Sequence, residues 1–398
     1  MKKAFIPAAL LAVLAACGNP KPAEPTDGLI VIDVENALNH LEDELKMSDL
    51  YDTVRYVPLE TNDSCLVGNR PYMVKTDKYL LVSYAQSSAI LTFDKETGRF
   101  VARIAHQGQG PKEYTSSNIC YNKHDGLLYF LREPNQIQRY DPTDGYHGRI
   151  VLQGVKRTSS NLSFTDSLII SHNQYMITPN ERILNIFNYR GELVDSLIDP
   201  MVKAGYEEGR SIQGLYQSNL SRASFLWADY GNGSIWADMP SDSYVHEGVL
   251  KYRRAFCDTV YALKNGRLEP SIAFHTGKLH FPLEGRKRRT GVADKVLITG
   301  AFETPTQVIF YCARDVYGDE PQTFRGVYDR RTGTTRLAPD NGELEDDLTH
   351  FLPYEGRPLE AYRVVEWLET HPEAKENPAL APLLKVQEED NPVAVIVD

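Results

Sequence analysis

The sequence predicts an all-β protein: a six-bladed β-propeller closed by its N- and C-terminal strands, with a short helical insertion near the C-terminus. Three observations predict it. Hairpins of alternating apolar and polar residues recur along the chain. The turn residues Asp94, Asp141 and Asn188 stand 47 residues apart in both steps. Val393-Ala394-Val395-Ile396-Val397 is too apolar to stay exposed and has no strand beside it in sequence.

The elements follow in order. Lys2 and Lys3 precede a short apolar run, Ala4 to Ala16, which reads as a secretory signal too short to span a membrane. Leu14-Ala15-Ala16-Cys17 has the form of a lipobox, so Cys17 is the expected lipidation site and the membrane anchor. Residues 17–28 then form a Pro-rich tether, and the propeller is expected over 29–398. Ile30 to Ile32 reads as a strand. Leu38, Leu41 and Leu45 are spaced for a short helix around 35–46. Val54 to Leu59 alternates as a strand.

The hairpins are 90–104, 137–151, 183–197, 259–274 and 324–338, each with a polar turn containing glycine. At Asp94 and its counterparts Asp141 and Asp329, the turn is expected to be held by the carboxylate. Another strand pair precedes most hairpins, giving about four strands per 40–50 residues, the period of a propeller blade. The later turn-to-turn steps lengthen to 77 and 64 residues, so units four and five carry insertions. Leu359, Tyr362, Val365 and Leu368 mark a helix over 358–370, with a shorter one over 378–386. Residues 393–397 are expected to pair with 54–59 as a sixth blade, avoiding two exposed edges.

Charge and cysteines narrow the function classes. The net charge is −11, and residues 340–398, with fifteen acids and four bases, account for all of it. The remainder is near neutral, and nucleic acid is not an expected partner. Apart from Cys17 there are Cys65, Cys120, Cys257 and Cys312, which in an exported protein could form disulfides. The apolar settings of Cys120 and Cys312 fit buried core thiols better. No metal-ligand spacing, nucleophile elbow or nucleotide loop occurs, so no metal, cofactor or catalytic residue is assigned. Gly108-Gln109-Gly110-Pro111 reads as a link between blades with Tyr114 packed beside it.

Four stretches taken together carry a family resemblance: the lipobox, MSDLYDTVRYVPLET (47–61), GQGPKEY (108–114) and EEDNPVAVIVD (388–398). Their order resembles the six-bladed β-propeller lipoproteins of Bacteroidetes, similar in shape to NHL-repeat propellers. The segment 358–386 resembles the helical insertion of their last blade. The resemblance implies export and the propeller fold but supplies no catalytic residues. Its surface-exposed members often carry an acidic cluster after the lipidated cysteine. Here Gly18 to Pro25 has only Glu24, which favours an outer-membrane anchor facing the periplasm.

Two features remain as candidate ligand contacts. Arg286-Lys287-Arg288-Arg289 is the densest basic run, suited to anionic headgroups or an anionic glycan, or else a solvated loop. Trp227, Tyr230 and Trp236 lie in the longest insertion, where exposed aromatics would stack on sugars and buried ones would wedge between sheets. The expected function is a lipid-anchored binding or scaffold module for a glycan, peptide or envelope protein. The rival is a hydrolase or lyase with a metal or acid/base site on the propeller axis. A glycan role calls for coplanar exposed aromatics on one face.

Overall fold

The computed structural model describes residues 28–51, 53–84, 89–116, 118–159, 161–172, 182–198, 211–221, 223–264, 267–340 and 358–397. The leader, Cys17 and nearly all of the tether lie outside them, as do the turn at Asn265 and residues 341–357.

Strand β1 (Ile30–Asp33) leads into α1 (Val34–Leu38), and α2 (Met47–Leu50) precedes β2 (Val54–Pro58). Next come β3 (Tyr72–Lys75), β4 (Tyr79–Ser83), β5 (Ala89–Asp94) and β6 (Phe100–His106). They are followed by β7 (Cys120–Asn122), β8 (Leu127–Arg132), β9 (Gln136–Asp141) and β10 (Gly145–Val151). Then come β11 (Leu162–Phe164), β12 (Leu168–His172), β13 (Arg182–Asn188) and β14 (Leu193–Ile198). The insertion contributes β15 (Gly214–Leu220), β16 (Ala223–Asp229) and β17 (Ile235–Asp238). Last are β18 (Asp242–His246), β19 (Val249–Arg253), β20 (Thr259–Lys264), β21 (Arg267–His275), β22 (Val296–Glu303), β23 (Gln307–Arg314), β24 (Gln322–Asp329), β25 (Thr334–Pro339), α3 (Ala361–Thr370) and β26 (Val393–Val397).

All five expected hairpins are present. However, the closed six-bladed propeller is not the observed architecture. The described strands form seven separate sheets, none of them closed: four of four strands, and one each of five, three and two. Residues 393–397 do pair antiparallel with 54–58, Val54 opposite Val397 and Pro58 opposite Val393. Those two strands make a sheet of their own and no sixth blade. Strand β1 joins a different sheet, parallel to β21, with Ile30 opposite Ile272. The three-stranded sheet β15–β17 fills one of the long steps in the repeat. The chain divides into two compact units, Met1–Leu45 with Asn173–Leu184 and Ser196–Asn341, and Lys46–His172 with Asn185–Asp195 and Gly342–Asp398.

In the first unit, Ile32, Val34, Ile272, Phe274, Val296, Phe310 and Leu337 share one core. A second core gathers Phe225, Trp227, Ala237, Phe256, Phe281 and Val316. The helix expected over 35–46 stops at Leu38. The Glu42 N–H donates to Leu337 O at 2.9 Å, and the Glu42 carboxylate takes two hydrogen bonds from Arg336 at 2.6 and 2.7 Å. Long-range bonding to β25 wins over local helix periodicity.

In the second unit, β26 is buried on both faces, Val393 and Val395 towards α3 and Ala394 and Ile396 towards β3–β5. Helix α3 begins at Ala361 because Leu359 exchanges two 2.8 Å backbone bonds with Val393. Its buried face is Ala361, Val364 and Leu368, and Tyr362 is exposed. Residues 378–385 form a 3-10 helix with Pro382 inside it. Among the described residues no helix is long and apolar enough to cross a membrane.

Candidate functional site

The site begins with the alternation of β16. Ala223, Phe225 and Trp227 point to the core face of the three-stranded sheet. Register places Tyr216 of β15 directly opposite Trp227, and Gly214 opposite Asp229. The Tyr216 and Trp227 rings stack at 3.9 Å with an interplanar angle of 12°. Gly214, two residues before Tyr216 and on the same face, makes this possible. A Cβ there would lie 2.7 Å from Tyr216 Cε2. The tyrosine ring therefore lies with one face on the indole and with its Cε2–Oη end against the bare Gly214 backbone. Trp227 keeps 7% of its surface exposed and Tyr216 keeps 48%.

The basic run reaches this sheet from the other side of the sequence. The Ile235 N–H donates to Lys287 O at 3.0 Å, so the run lies along the free edge of β17. Arg286 turns inward and is only 3% exposed. Its guanidinium lies 4.2 Å from the Trp236 ring centre and 4.8 Å from that of Phe256, and Nε donates to Ala237 O at 3.3 Å. The Asp238 carboxylate is 4.0 Å away. Lys287 stands near Glu284, and Arg288 is exposed. Arg289 places its guanidinium 4.8 Å from the Trp227 ring centre and 3.6 Å from Asp229. Cation–π contact strengthens where water is excluded, as it is around Arg286. Tyr317 closes the rear of Trp227 edge-on at 5.8 Å and donates to Gly285 O at 2.7 Å. Burial pushes its phenol far above the ordinary range, so it stays a donor.

The two candidate sets thus meet, in an arrangement different from the expected one. Trp227 pairs with Ala237, and Trp236 with Ala228, so the two tryptophans face opposite sides of the sheet. They form no common platform. Tyr230 is half-buried in the β16–β17 turn, where its N–H donates to Ser234 O at 3.0 Å. The solvent-facing aromatic of this sheet is Tyr216, which the sequence reading missed. Its signal was a glycine two residues before an aromatic inside the insertion, small beside large on one face. What remains accessible is one oriented ring on Trp227, the indole that Arg289 also contacts, with Arg288 and Lys287 in solvent nearby in sequence. Such a surface offers CH–π stacking to a sugar face, and charged donors to its oxygens.

The other motifs are internally satisfied. Gly110 N–H donates to Glu113 Oε2 at 2.6 Å, and the same carboxylate fills the space above Gly108. The loop is therefore occupied by its own anion, where a phosphate would have to sit. Arg132 donates to Gly110 O and to Gln109 O, and Tyr114 stacks on Phe130 at 4.3 Å. Asp141 holds a hairpin turn by accepting from Thr143 N at 2.8 Å. Cys65, Cys120, Cys257 and Cys312 are buried free thiols. Among the described residues, no group of three or more His, Cys, Asp or Glu is placed to hold a metal ion.

These features define an all-β protein of small sheets with an aromatic and cationic surface on one of them. The chain belongs to the DUF4934 family, a domain of unknown function, whose profile matches residues 29–398. Among solved structures it is similar to a Bacteroides fragilis protein described as exported, at 14% identity with a TM-score of 0.58, covering 93% of this chain and 99% of that one. That likeness extends to the fold. The WD40 propeller domain of Doa1 matches at 13% identity over 72% of this chain and 73% of its own, with a TM-score of 0.33. Hydrazine synthase of Kuenenia stuttgartiensis matches at 11% over 69% of each chain, with a TM-score of 0.32. No curated protein matches the sequence.

Proposed function

We propose that the protein is a binding module of the cell envelope and that its ligand is a carbohydrate, met by the Tyr216 surface of the first unit. The observation that carries this reading is the half-exposed Tyr216 ring, stacked on Trp227 in the room that Gly214 leaves before any ligand arrives. A ring held in place loses little freedom on binding, so its stacking energy is not spent on ordering it. A polysaccharide panel screened by affinity electrophoresis tests the reading. At least one glycan retards the intact protein, and Tyr216→Ala abolishes the retardation. If no glycan retards the protein, or if Tyr216→Ala is retarded like the parent, the reading fails.

The leader supports an address for this module: export, lipidation at Cys17 and an outer-membrane anchor facing the periplasm. The related Bacteroides fragilis fold is described as exported, in keeping with that address. Cells fed a labelled fatty acid incorporate label into the intact protein and none into Cys17→Ser. Equal labelling of both, or of neither, removes the anchor.

A further inference from the structure

A second cluster lies in the first unit, away from the aromatic surface in sequence and in its residues. Three turns contribute to it. His246 ends β18, Glu303 ends β22, and Arg330 follows β24 in its turn, while Lys251 projects from β19. The Glu303 side chain is 1% exposed and collects the others. Tyr244 Oη donates to Glu303 Oε1 at 3.1 Å, Lys251 Nζ lies 3.3 Å from the same oxygen, and Arg330 pairs with Oε2. His246 Nε2 is 3.9 Å from that second oxygen.

Among the described residues, two fixed cations therefore share one carboxylate, leaving an excess positive charge in a mostly enclosed place. Enclosed charge without a partner is costly. Donor capacity is also left over. An ammonium has three N–H groups, and Lys251 directs two contacts, to Glu303 and to Ser271 Oγ at 2.7 Å. Among the described residues, Arg330 Nε is buried with no acceptor. Burial, only partly opposed by Glu303, holds the His246 imidazole below its ordinary value, so it adds no further cation at neutral pH. Arg330 keeps a quarter of its side chain in solvent, which gives a route in. Glu303 serves as the brace that lets Lys251 and Arg330 stand together despite their repulsion, and its oxygens are already occupied by those partners.

We propose that this cluster binds a small anionic group, a carboxylate or a phosphate, between Lys251 and Arg330. Glycan recognition at Tyr216 is a separate event and does not depend on it.

The test is calorimetric titration of the full chain with inorganic phosphate and with citrate, each at constant ionic strength. Saturable binding of a single anion is expected, with affinity at least about tenfold lower in Arg330→Gln and in Lys251→Met. Binding of phosphate alone or of citrate alone identifies the group and supports the site. Arg330→Gln lies on a turn and carries the test alone if Lys251→Met does not fold. Arg336→Gln, which breaks the pair with Glu42, leaves anion affinity unchanged. Binding of neither anion, undiminished binding by Arg330→Gln, or an equal loss in Arg336→Gln overturns the proposal.

Discussion

Tyr216 and His172 show how much a single residue's setting decides. The exposure of Tyr216 follows from a glycine at 214 and an indole across the strand. Its role is a property of three residues at once, Gly214 and Tyr216 on β15 and Trp227 across the pair on β16. His172, at the end of β12, is buried, and burial pushes its imidazole down to about 4. The unfolded chain, with an ordinary imidazole near 6.5, therefore binds a proton that the folded chain refuses over the window from about 6.5 to about 4. Stability contributed by the neutral ring is complete above that window and lost as pH falls through it, by about 3 kcal/mol in total. Urea unfolding at pH 7 and pH 4 checks this: the drop in stability is smaller in His172→Phe than in the parent by about that amount. An equal drop in both proteins contradicts it.

At the scale of elements, the hairpin turns were legible because their chemistry is local. Asp94, Asp141, Asn188 and Asp329 each accept hydrogen bonds from N–H groups of their own turn, Thr97 N at 2.8 Å and Thr332 N at 2.9 Å among them. Hydrogen bonding from Thr97 lowers the Asp94 carboxyl below its usual range, as bonding from the Thr332 N–H does for Asp329. The pairing of β2 with β26 was legible from the apolarity of 393–397 and from the exposed edges that two unpaired end strands would leave. What was not legible was the size of the resulting sheet, because strand count depends on which other strands reach it. The same holds for α1, cut short by the distant Arg336, and for α3, whose start is set by Val393. Ile396 gives the pairing a measurable weight. It is buried among Val57, Leu80, Leu91 and Phe93. Ile396→Ala is expected to cost about 3 kcal/mol, while the more exposed Val397→Ala costs less than about 1 kcal/mol. Equal effects on the denaturation midpoint would mean that β26 is not anchored through its buried face.

For the whole molecule, repetition announced a β-rich chain and overstated its regularity. A constant step of 47 residues describes only the hairpins around Asp94, Asp141 and Asn188. Beyond them, pairings such as Ile30 with Ile272 are set by contacts 242 residues apart, which no local period records. The candidate site has the same character. Trp227 and Arg289 were each singled out from sequence, but their meeting is tertiary, and so is the masking of Arg286 by Trp236 and Phe256. The inserted sheet β15–β17, which breaks the repeat, presents the aromatic of the candidate site to solvent.

Calorimetric titration of the intact protein with a glycan that retards it in the screen tests the central claim most directly. Tyr216→Phe keeps the ring and its stack on Trp227, and its affinity stays within about threefold of the parent. Gly214→Val leaves Tyr216 in the chain but fills the space its ring occupies. The account predicts a loss of at least about tenfold in Gly214→Val, matching Tyr216→Ala, with the fold intact by circular dichroism. Parental affinity in Gly214→Val and Tyr216→Ala would contradict it.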